Sequence, residues 1–303
     1  MCQYSDAGDR TSAWDLLRAG PQYVLPHHLL SAAMEKLTGS RVRWFKDPLI
    51  RWFARAYRID WREARYRSPG AYPTFNAFFT RELRPGARPV DGAPGAVVSP
   101  VDAAVSQAGI VQGGRLLQAK GHHFDLVRLL GGSPARAAPF RGGSFATLYL
   151  SPRDYHRIHM PLGGVLEEMV CVPGRLFSVN AATTRAVPGL FARNERVVAV
   201  FRTGAGPLAL VLVGAVFVGS IETVWHGVVT PPREREVRRW EYPDGAVRLE
   251  KGQELGRFNM GSTVIALFGP GAVRWVPDLA PGRRVRMGER IAETGSLTLP
   301  SSA

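Results

Sequence analysis

The chain has 303 residues, 45% of them hydrophobic, which is enough to bury the core of one large domain or two ordinary ones and too apolar for a disordered polymer. Its formal charge of +14 draws it towards a polyanion, whether nucleic acid, anionic lipid or a phosphorylated substrate, without choosing among them. Lysine occurs only at positions 36, 46, 120 and 251, which leaves few candidates for a pyridoxal phosphate enzyme, and Cys2 and Cys171 alone argue against a structural disulfide.

Met1 to Arg10 lacks the apolar stretch of a signal peptide and the acid-poor character of a transit peptide, so the protein is expected to stay where it is made. A helix is predicted from His28 to Leu37, after Pro26. A second is predicted between Asp47 and Asp60, where Leu49, Ile50, Trp52, Phe53, Ala56 and Tyr57 recur at helical spacing with Arg51, Arg55 and Arg58 between them. From Arg41 to Ser68 nine basic residues face three acids, and Trp44, Trp52 and Trp61 are interleaved. That mixture suits a helix lying among lipid headgroups; it also suits a helical cap whose arginines are merely solvated.

Beyond about Val97 the pattern changes to short runs of Val, Ile, Leu, Thr and Phe separated by Gly and Pro. Strands are predicted at 96–98, 145–150, 166–172, 197–201, 208–213, 216–221 and 263–268. The uncharged stretch from Thr203 to Ile221 is broken by Pro207 and four glycines, which makes it two buried strands rather than a membrane span. The tail after Leu297 reads as disordered. The fold class is therefore α+β: N-terminal amphipathic helices over residues 1–95, then a mainly antiparallel β core over 96–303.

Three segments carry side chains that could do chemistry. Asp102 stands alone among apolar residues at a strand edge; His156 and His159 lie three apart before a proline; and Gly261, Ser262 and Thr263 follow a polar run. If folding gathers them, Ser262 is a nucleophile, His159 its general base and Asp102 the group that fixes the imidazole tautomer. A serine after a flexible glycine can also attack its own preceding carbonyl. The alternatives are a turn-capping Asp102, a metal site built on Asp154, His156 and His159 with His122 or His123, and a serine hydrolase or peptidase acting on another molecule.

Thr74 to Phe79, Gln118 to Phe124, Leu150 to Pro161, Phe177 to Asn180, Leu190 to Val197, Val218 to Trp225 and Lys251 to Phe268 together resemble the phosphatidylserine decarboxylases of the prokaryotic, membrane-associated type. The resemblance implies self-cleavage between Gly261 and Ser262 by Asp102, His159 and Ser262, giving a β chain and an α chain of one precursor. It implies no metal; the cofactor is a covalent pyruvoyl group derived from Ser262, which takes the substrate amine as a Schiff base. His156 becomes the candidate proton donor, with His159 as the alternative once processing is over, and Arg153 and Arg157 are candidates for the lipid phosphate or for a solvated surface. The implied product is phosphatidylethanolamine, and the implied partners are phosphatidylserine and an anionic phospholipid membrane on its cytoplasmic face. Nucleic acid is not expected, and a homo-oligomer is left open. Met260 replaces the family's usual leucine with little change of volume. Ala103 replaces a common glycine, and would be strained if that position required a positive φ.

Overall fold

The computed structural model describes residues 20–23, 27–119, 122–216, 220–232, 235–259 and 263–295. Met260, Gly261, Ser262 and the tail after Leu297 lie outside the described residues. Helix α1 runs His27–Thr38 and α2 Arg43–Ala56, so α2 begins one turn before the predicted Asp47 and stops short of Asp60. Asp47-Pro48 looks like a helix start, yet Pro48 sits inside the helix, where its ring removes only the bond to one earlier carbonyl. The end is a Schellman cap. Arg58 takes a left-handed φ of 54°, its N–H bonds the Arg55 carbonyl, and the Ile59 N–H bonds that of Ala54.

The inner face of α2 buries Ile50, Phe53 and Ala54 against Phe75, Phe78 and Phe79 of a short helix, α3 (Phe75–Phe79), with Thr74 accepting from the Ala77 N–H at its N-cap. Phe53 meets Phe75 edge-on at 5.1 Å. Edge-to-face geometry of this kind adds roughly 1 kcal/mol beyond area burial.

The β core is antiparallel throughout its main sheet, which runs β12 (Arg238–Glu241), β7 (Gly164–Val172), β8 (Arg196–Thr203), β9 (Gly206–Val213), β15 (Thr263–Phe268), β5 (Ser144–Tyr149), β2 (Ala103–Ile110) and β17 (Arg284–Val285). Alternate residues of these strands supply two apolar layers: Leu148, Val264 and Ala266 on one face, Phe145, Ile265 and Leu267 on the other. Against the first face packs a smaller sheet of β11 (Gly227–Thr230), β10 (Ser220–Thr223), β14 (Glu254–Asn259) and β6 (Arg157–His159). Here Gly256 lets β14 approach β10 closely, since a Cβ would lie 2.2 Å from the Glu222 carbonyl oxygen.

Of the strand predicted over 216–221, Val216 lies in a turn and Ser220 and Ile221 belong to β10, while residues 217–219 lie outside the described residues. Ala103 is the first residue of β2 and its φ is not positive, so the exchange from glycine carries no strain. No helix of the described residues is long and apolar enough to cross a membrane.

Candidate active site

Thr263, Tyr149 and Ala104 form one row across β15, β5 and β2. At the usual strand spacing Ala104 lies about 10 Å from Thr263. Asp102 sits just before β2, and the Pro100 carbonyl accepts from the His159 N–H at 2.8 Å, which fastens β6 to the same end of the sheet. Ser262 is bonded to Thr263 and so is tethered to this row.

His159 is buried and both ring nitrogens are engaged. Nδ1 lies 2.8 Å from the Gly252 carbonyl oxygen and Nε2 3.1 Å from the Tyr155 hydroxyl. A carbonyl can only accept, so Nδ1 carries the proton and Nε2 presents its lone pair, the tautomer that a general base needs. Burial lowers the imidazole pKa below its ordinary value, opposed in part by the Gly252 bond.

Asp102 does not orient this ring. Its carboxylate is clamped by Arg88, Nε to Oδ1 at 2.8 Å and Nη2 to Oδ2 at 2.5 Å, and Oδ1 also accepts from the Met287 N–H. The tautomer-fixing role expected of Asp102 is thus filled here by the Gly252 carbonyl. Burial disfavours the Arg88 charge, but the hydrogen bonds to Asp102 and Glu63 outweigh it and hold its pKa above the usual arginine value.

His156 is fully buried and stacks on Phe79, with ring centroids 4.1 Å apart and planes 19° from parallel. The Ser151 and Pro152 carbonyls lie nearby, but neither ring nitrogen closes a well-formed hydrogen bond. Its carbonyl accepts from the Phe258 N–H, one residue before Asn259. Asn259 is itself fixed, accepting from Asn76 of α3 at 3.0 Å and donating to Ser220 at 2.6 Å. His159, by contrast, pairs with Glu254 at the other end of β14. Of the two histidines, His156 stands beside the end of β14 from which the chain runs to Met260.

Burial, reinforced by the nearby Arg81 charge, pushes the His156 pKa down to about 3. The folded chain then refuses a proton that the unfolded chain accepts below about pH 6.5, so stability is full above that pH and is lost as pH falls towards 3. The difference is about 2 kcal/mol at pH 5. Urea unfolding at pH 7 and pH 5 should therefore show a smaller acid loss, by about that amount, in His156→Phe than in wild type; equal losses would place the titration elsewhere.

Asp154, His156 and His159 do not converge as metal ligands: Asp154 accepts from the Ser151 N–H and from Arg284, while the two rings point into separate contacts. Arg81, Arg88, Tyr155 and Gly252 were not legible as site residues. Arg88 and Asp102 are 14 positions apart with no pattern between them, and a carbonyl acceptor leaves no trace in residue type.

The family model described as phosphatidylserine decarboxylase matches residues 75–293, which takes in Asp102, both histidines and the Gly261–Ser262 bond. The chain belongs to that family. A second model, described as PSD, matches residues 17–58. This decarboxylase-family chain is 59% identical over 271 residues to a phosphatidylserine decarboxylase proenzyme of Pseudomonas fluorescens, covering 88% of the chain and 94% of the relative. A proenzyme of the same name from Pseudomonas putida is 58% identical, covering 89% and 95%. One from Stutzerimonas stutzeri is 55% identical, covering 93% and 96%.

Proposed function

We propose that this chain converts phosphatidylserine to phosphatidylethanolamine after cutting itself at Ser262. The observation that carries this reading is the family match across Gly261–Ser262, with relatives close to 60% identical that are named proenzymes. The Ser262 Oγ, relieved of its proton by His159 Nε2, attacks the Gly261 carbonyl carbon and the peptide C–N bond breaks to leave an ester. Loss of the Ser262 α-proton expels the Gly261 carboxylate. Water then replaces nitrogen, ammonia leaves, and the shorter chain begins with a pyruvoyl group.

The chemistry of the described residues fits such a group, because the ring nitrogens of His156 and the Oγ1 of Thr263, the residue after Ser262, are buried without hydrogen-bond partners. A pyruvoyl group there would supply an electrophilic ketone for the substrate amine and an electron sink for loss of CO2, which no ordinary side chain can do. Asp102 acts through Arg88, fixing the loop from which β6 hangs. His156 is the proton donor to the product carbon, a neutral imidazole held flat by Phe79. The test is release of CO2 and of phosphatidylethanolamine from phosphatidylserine vesicles by the purified chain, in step with appearance of two fragments.

Residues 1–95 supply docking on an anionic membrane, reached from the cytoplasmic face, and 96–303 the catalytic core, to which the first region also lends Phe79 and Arg88. The outer face of α2 supports this: Trp44 is 81% and Trp52 62% exposed, with Arg51 and Arg55 exposed beside them. An exposed tryptophan seeks the headgroup layer, and each arginine near an anionic surface contributes about 1 kcal/mol. Deleting the first 68 residues would strip Ile50 and Phe53 from the aromatic core, so surface exchanges are the cleaner test. Arg51→Gln with Arg55→Gln should weaken sedimentation with phosphatidylserine-containing vesicles about thirtyfold, with self-cleavage intact. Unchanged sedimentation would remove α2 from the docking surface.

A further inference from the structure

Two buried arginines behave differently. Arg196 is 2% exposed and places Nε, Nη1 and Nη2 on the carbonyls of Leu129, Asn194 and Arg128. That is how a structural buried guanidinium is satisfied. Arg81 is 6% exposed, lies over the Phe78 ring at 5.5 Å, and makes one bond, Nη2 to the Arg153 carbonyl at 3.3 Å. Its Nε and Nη1 have no acceptor among the described residues.

The carboxylates around it are committed elsewhere. Asp102 and Glu63 bind Arg88, while Glu254 and Glu82 bind Arg157. Arg157, a sequence candidate for the lipid phosphate, is therefore already paired. Beside Arg81 stands His156, whose two ring nitrogens are also unfilled, on the flank of Phe258 and Asn259. A buried cation with no carboxylate bonded to it, next to a second buried group without a hydrogen-bond partner, is costly unless an anion completes it.

The headgroup of phosphatidylserine offers two anions. A cation on the carboxylate would stabilise the charge that CO2 loss must remove, and so would raise the barrier. A cation on the phosphodiester holds reactant and product alike. Resting on the decarboxylase reading, we infer that Arg81 receives the phosphodiester of the lipid headgroup, beside the ring of His156.

Uniform binding of this kind acts on KM and leaves kcat nearly alone. The test compares wild type, Arg81→Lys and Arg81→Gln by calorimetry with glycerophosphoethanolamine, which has the phosphodiester and no carboxylate, with O-methyl-L-serine, which has the reverse, and with inorganic phosphate. In Arg81→Gln, binding of glycerophosphoethanolamine should weaken at least tenfold and KM for short-chain phosphatidylserine should rise alike, with kcat within about threefold and O-methylserine binding unchanged. Arg81→Lys should fall between, and decides alone if the glutamine variant does not fold. Unchanged phosphodiester binding in the variants, or a loss confined to O-methylserine, overturns the assignment. Inorganic phosphate binding as tightly as glycerophosphoethanolamine would make this a free-phosphate site and overturn it too. A wild-type protein inactive on phosphatidylserine would instead defeat the parent reading.

Discussion

Ser262→Ala is expected to remain one chain of 303 residues with no decarboxylase activity, while wild type separates into residues 1–261 and a chain of 42 residues. The effect is complete because one hydroxyl has two duties. It is the nucleophile that opens the Gly261 peptide bond, and its carbon skeleton becomes the electron sink, so no neighbouring side chain can substitute for either part. Intact mass separates the outcomes. The short wild-type fragment should weigh less than a serine-started chain by one ammonia, which is released when water hydrolyses the imine, and should resist sequential degradation from its N-terminus. Alanine removes only one oxygen, so thermal unfolding of the variant should stay close to that of the uncut precursor. Two fragments from Ser262→Ala would assign the cut to another nucleophile, and an uncut, active wild type would end the self-processing account.

How much of this was readable from residues alone follows from the range of each interaction. The strands at 96–98, 208–213 and 263–268 agree with their predicted limits to within two residues, because a strand buried on both faces writes itself as an unbroken apolar run. The limits of α2 were misplaced at both ends. Asp47-Pro48 imitates a start, and the stop depends on Arg58 adopting a conformation normally given to glycine. At the site, Asp102, His156 and His159 stood out by residue type, yet their partners did not. The Asp102 clamp comes from Arg88, in the region that also forms the helical layer, and the His159 tautomer is held by a backbone carbonyl from residue 252. Phe79 stacking under His156 joins two segments 77 positions apart, a contact that only the packing of α3 on the β core creates.

His159→Gln should slow self-cleavage by roughly a hundred- to ten-thousandfold, the usual contribution of a positioned general base. Glutamine can still donate to the Gly252 carbonyl, so the fold around β6 is kept while the basic Nε2 is lost. The pH dependence supplies a second, independent reading. Burial lowers the His159 pKa, so the neutral imidazole already predominates at the ordinary histidine value of about 6.5. The cleavage rate of freshly refolded precursor should therefore stay on its plateau at pH 6.5 and drop to half only at a lower pH; a midpoint at or above 6.5 would mean that the base is solvated or is a different group. His156→Asn divides the labour between the two histidines. With His156 as proton donor in turnover, this variant cuts itself at close to the wild-type rate and then fails to release phosphatidylethanolamine. The reverse pattern, cleavage lost with His156 and kept with His159→Gln, would move the base to the ring whose carbonyl meets Phe258. It would also leave His159, held between Gly252 and Tyr155, as a strut joining β6 to β14.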